Sequence, residues 1–125
     1  MKNLLTVTAL IEFGTGFVLV ALPSVVSTLL FGAQPDTPVG MIIARVAGIA
    51  LLALGLACWL ARLDGRSRAT RGLVGAMVLY NAGSVAILAN AGLDLYLSGI
   101  ALWPAVAFHA AMTAWCVTSL ATSRS

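Results

Sequence analysis

The chain has 125 residues, 61% of them hydrophobic and only 9% charged, against about 45–50% apolar and 25% charged in an average soluble domain. One domain this short leaves much of its surface uncovered, so the apolar excess calls for lipid rather than for a larger core. The formal net charge is +3, but five of the six arginines and the single lysine stand near the ends of apolar runs. No interleaving of basic and aromatic residues offers a nucleic-acid face, which excludes that class of partner.

Four apolar runs follow one another along the chain, at about 4–22, 38–60, 72–91 and 97–120. Each approaches the ~20 residues that cross a ~30 Å hydrocarbon layer. Backbone in lipid must satisfy its own hydrogen bonds, so each run is expected to be a helix. The expected fold is all-α, an integral membrane four-helix up-down bundle in one domain over 1–125. Glu12 interrupts the first run, which therefore reads as a retained span rather than a signal peptide. After it, Pro23 and Ser24 can stop one helix and start another, and Val25, Val26, Leu29 and Leu30 would rest on lipid. A short interfacial helix is expected at about 24–31.

Charge sets the expected orientation. Arg62, Arg66, Arg68 and Arg71 lie between the second and third runs, and Lys2 and Arg124 fall on the same side of a four-span topology. The other side carries Asp36 and Asp94 and no Lys or Arg. This bias places both termini in the cytoplasm, with the protein in a bacterial cytoplasmic (inner) membrane. Trp59 and Trp115 then mark the inner interface, and Trp103 and Tyr96 the outer one.

Each span carries one strongly polar side chain. Glu12 is ~12 Å from the inner edge and His109 ~18 Å from the outer edge at 1.5 Å per residue, and Asn81 and Arg45 fall near them. A charge at such depth costs about 2.5–3.5 kcal/mol on insertion scales, so Glu12 and Arg45 are expected to face each other across the bundle. Helical spacing puts Thr8, Thr15 and Gly16 on the face of Glu12, and Gly48 on that of Arg45. It puts Met77 and Ser84 on the face of Asn81, and Met112 and Thr113 on that of His109. Glu12, Arg45, Asn81 and His109 are thus the expected ligand-binding or proton-exchange cluster, with the other eight lining its pocket. The glycines would let helices approach closely.

One histidine does not make a multi-ligand metal site, and no metal or cofactor motif is present. Cys58 and Cys116 read as small buried hydrophobes. No nucleophile–base pair supports an enzyme. The segments "LIEFGT" at 10–15 and "LYNAGS" at 79–84 align Glu12 with Asn81, a hint of a duplicated two-helix unit.

The segment "ARVAGIALLALGLACWLAR" at 44–62, with Arg45 followed by Gly48 and Gly55, resembles small bacterial four-helix membrane proteins of the DoxX-like type. That resemblance implies a four-helix membrane fold. For some relatives it also implies association with membrane oxidoreductases or quinone chemistry. Glu12 before "GTG" is similar to the first-helix carboxylate of small multidrug resistance transporters, but their aromatic later helices are not matched. The threonine–phenylalanine motif of the fluoride channels is absent.

Three functions follow as expectations. The first is a binding protein whose cluster holds a small lipophilic molecule with a polar head, a quinone or lipid, in the service of a membrane partner subunit. The second is an oligomeric proton-coupled transporter or channel using Glu12. The third is an accessory subunit in which the cluster only fixes helix register.

Overall fold

The computed structural model describes residues 1–122, and Arg124 lies outside them. The described residues form five helices: α1 (Lys2–Ala21), α2 (Pro23–Phe31), α3 (Pro38–Ala61), α4 (Arg68–Leu93) and α5 (Leu102–Ala121). Four of these, all but α2, are long and apolar enough to cross a membrane.

Local chemistry explains the boundaries. Leu22 leaves helical geometry and Pro23 begins α2 at its first position, where a missing N–H costs nothing. Gly32 ends α2 in the left-handed region at φ 71°, a conformation that favours glycine. The Thr37 side chain accepts from the Gly40 amide at 3.1 Å to start α3, and Ser67 accepts from the Thr70 amide at 3.1 Å to start α4, both as N-caps.

The long helices pair off as α1 with α3 and α4 with α5. The first pair is antiparallel and glycine-mediated. A Cβ on Gly48 would stand 2.7 Å from a Val20 methyl and 2.9 Å from the Gly16 carbonyl oxygen. Further along, a Cβ on Gly55 would stand 3.2 Å from the Ala9 carbonyl oxygen. The expected close approach at Gly16 and Gly48 is therefore present as helix contact.

The two pairs meet in one buried core. Leu4, Leu5 and Ala9 of α1 and Cys58 of α3 pack with Val74 and Met77 of α4 and Met112 and Cys116 of α5. All of these lie toward the end that carries the termini. At the opposite end the pairs are bridged by α2, which touches α1, α3 and α5. Apolar side chains cover the outside: Leu79 is 77% and Ile87 71% exposed, positions that suit hydrocarbon rather than water.

The fourth span begins later than the hydropathy suggests. Residues 97–101 are not helical. The Ala101 amide donates to the Leu29 carbonyl at 2.8 Å. A Cβ on Gly99 would fall 2.2 Å from that same oxygen. This segment serves as the seat of α2, and its backbone amide is spent there instead of in α5.

Candidate functional site

Glu12 sits mid-way along α1 and is 4% exposed. Its stem packs on the bare backbone of α3, where a Cβ on Gly55 would lie 3.3 Å from the Glu12 Cβ. Tyr80 of α4 lines the same cavity as Glu12, and the two side chains interact electrostatically.

Arg45 is elsewhere. Its side chain is exposed on α3, and among the described residues no basic group pairs with Glu12. The expected face-to-face charge pair is thus corrected. Helical spacing does put Arg45 on the stripe of Gly48, but one turn further out, ~4.5 Å. Gly48 already contacts Val20, near the end of α1. The Arg45 side chain is exposed there, and its length lets it reach outward.

Asn81 and His109 come together as expected. Asn81 is 1% exposed. Its amide nitrogen donates to the Met77 carbonyl at 2.8 Å, which turns its oxygen toward His109. That oxygen lies 2.8 Å from Nδ1 of the ring. An amide oxygen only accepts, so Nδ1 carries the proton and Nε2 is the basic nitrogen of the neutral ring. Reversing the amide would set two carbonyl oxygens against each other, so the backbone of α4 dictates the tautomer. Tyr80 and Phe108 meet the imidazole edge-on, with centroids 5.6 Å and 5.5 Å away. His109 lies only seven residues past Leu102, the first of α5, and so is nearer the α2 end than the longer expected span implied.

Glu12, Tyr80 and His109 share one cavity of about 430 Å³, a size typical of small-molecule sites. The rest of its wall is almost wholly apolar. Val26, Leu29 and Leu30 of α2 roof it, and Leu88, Ala105 and Phe108 are among its sides. Beside it, a groove along α1 and α2 shares Ile11, Thr15 and Val26 with the cavity and continues over Leu10, Gly14 and Val18. Leu10 is 59% exposed, so the groove leads to the outer surface between two helices.

The other expected lining residues divide. Thr15 is on the cavity wall, and Ser84 supports Tyr80. Thr113 donates to the His109 carbonyl at 2.8 Å, within its own helix. Gly16 and Gly48 are in the α1–α3 contact, and Met77 and Met112 are in the core. Thr8 is buried one turn below Glu12, and its hydroxyl has no hydrogen-bond partner among the described residues.

Tyr80 escaped the sequence reading, although it precedes Asn81 and has Ser84 at i+4, one helical turn away. No group of three or more His, Cys, Asp or Glu converges as a metal set among the described residues.

Comparison with known proteins finds no matching family model, no matching curated protein and no matching solved structure.

Proposed function

We propose that this is a four-span protein of a bacterial cytoplasmic membrane, with both termini inside, that binds a small lipophilic molecule with a polar head. A quinone-like ring is the preferred class, and service to a membrane oxidoreductase is the preferred setting, in keeping with the DoxX-like resemblance. One observation carries the reading. A carboxyl, a phenol and an imidazole with a free basic nitrogen converge on an apolar cavity, and an apolar groove connects that cavity to the lipid-facing surface. Ionisable groups held inside a membrane mark functional sites by default, and a ligand entering from lipid would find its tail and its head already matched.

Two other readings are weaker. A proton-coupled path through one copy would have to cross the packed core of Leu4, Leu5, Met77 and Met112 beneath the cavity. A register lock by ion pairing lacks its cation, since Arg45 is exposed.

Native mass spectrometry of gently extracted protein tests the proposal. Wild type and Arg45→Gln should both carry a discrete small adduct. Ala105→Trp, which fills the cavity, should lose it. An adduct retained in full by folded Ala105→Trp would place the ligand elsewhere.

A further inference from the structure

We infer that the ligand carries a single hydrocarbon chain, which lies along the outside of α1 with Gly14 as its floor while the head occupies the cavity. This rests on reading the cavity as a ligand site, and it names the ligand class: a compact ring on one chain.

The groove beside the cavity is built by spacing on one helix. Leu10, Gly14 and Val18 stand at i, i+4 and i+8 of α1, Ile11 and Thr15 form the next file, and Val26 of α2 flanks them. From Leu10 to Val18 the groove follows α1 for ~12 Å, at 1.5 Å per residue. Its narrow floor gives room for one chain.

Gly14 makes that floor. Leu10 and Val18 are 59% and 36% exposed on either side of it, and a Cβ at Gly14 would meet nothing within 4 Å. Gly16 and Gly48, by contrast, are bare because α1 and α3 touch there. Glycine weakens a helix, and at Gly14 no contact within the chain offsets that. What it leaves is a gap one side chain deep that faces lipid.

Polarity divides the two spaces. Glu12, Tyr80 and His109 line the cavity but not the groove, whose one polar lining residue is Thr15. Ile11, Thr15 and Val26 border both spaces and so mark where head meets chain. The core lies beneath the cavity and α2 above it, which leaves the side wall for a chain to leave by. In a bilayer the chain gains little by exchanging lipid for leucine and valine. The groove acts instead by letting the chain pass without parting α1 from α2, and a side chain placed in it works by obstruction.

Two phenols with the same head test this: 4-nonylphenol, with a chain, and 4-methylphenol, without one. A phenolic hydroxyl both donates and accepts, so it can meet donors and acceptors alike on the cavity wall. Each is brought to the same mole fraction of the bilayer around the full chain in lipid nanodiscs. The unfolding midpoint is followed, because a ligand of the folded state raises it. Both should raise it in wild type. Gly14→Leu should fold as wild type does and weaken 4-nonylphenol roughly tenfold, while 4-methylphenol keeps its effect. Ala105→Trp, which fills the cavity, should abolish both responses, with Ala105→Ile as the milder filler should the tryptophan not fold. A 4-nonylphenol carrying a diazirine at its chain end gives a second reading that needs no variant. After irradiation its label should be found between Leu10 and Val26.

Labels confined to α3, α4 or α5 would overturn the chain's path and leave the binding site standing. So would a 4-nonylphenol response that Gly14→Leu does not move but the filled variant loses, or an equal weakening of both probes by Gly14→Leu. A response to neither probe in wild type, or responses unchanged in a folded filled variant, would overturn both.

Discussion

Replacing Asn81 by leucine would remove the acceptor on His109 Nδ1 and leave a buried ring N–H beside apolar surface. The expected cost is about 1–3 kcal/mol of stability, read as a lower unfolding midpoint in detergent. The ring nitrogens should also pass from one fixed tautomer to a mixture. Thr8 gives the opposite sign. Its buried hydroxyl has no partner among the described residues, so the near-isosteric Thr8→Val should leave the midpoint unchanged or raise it by the equivalent of about 1 kcal/mol. At this scale the sequence was legible where polarity alone decides. Glu12, Asn81 and His109 are costly in an apolar run, and they lie on or against the cavity wall. Arg45 is equally costly, but an arginine can stretch to the interface, and depth arithmetic could not reveal that α1 ends near Gly48. Tyr80 was illegible because an amphipathic ring is unremarkable in a membrane helix until the carboxyl of another helix is seen beside its hydroxyl.

The helices carry a test of their own in the contrast between glycines. Gly48→Ala pushes a methyl group into Val20 and the Gly16 carbonyl and should cost about 1–3 kcal/mol as the α1–α3 pair is forced apart. Gly14→Ala meets nothing within 4 Å and should be neutral or stabilising by up to about 1 kcal/mol through helix propensity. Both are read from unfolding midpoints of the purified protein. The four long helices were legible because hydropathy over ~20 residues is a coarse and robust signal. The short α2 was legible from Pro23 and the apolar run after it, although Pro23 is its first residue and Ser24, expected as its cap, lies inside it and makes no cap bond. The start of α5 was not. Residues 97–101 are mostly apolar, and only the tertiary contact at Gly99 reveals why they stay out of the helix beside α2.

The whole molecule joins a packed end and an open end. The core that unites the helix pairs is gathered toward the termini, and the cavity lies at the other end beneath α2. The basic loop between α3 and α4 belongs to the packed end, where Arg62 stacks 3.4 Å over the Trp59 ring, an arrangement suited to an interface. With both native cysteines buried, single introduced cysteines can report the orientation. Asp36→Cys should react with a membrane-impermeant maleimide on intact cells, and Asp64→Cys should react only after permeabilisation. The reverse pattern would invert the proposed topology. The pairing of helices was only hinted at in the sequence, because apolar faces look alike and partners are chosen by local fit, as at Gly16 and Gly48.

The chain has a single histidine, so uniform ¹⁵N-histidine labelling reports on His109 alone. Nitrogen NMR of the protein in nanodiscs, recorded with and without 4-nonylphenol, is the most direct measurement. The account predicts a neutral ring protonated at Nδ1, whose bare Nε2 signal shifts on adding the phenol while Nδ1 stays hydrogen-bonded to Asn81. A ring protonated at Nε2, or an Nε2 signal indifferent to saturating phenol, would contradict it.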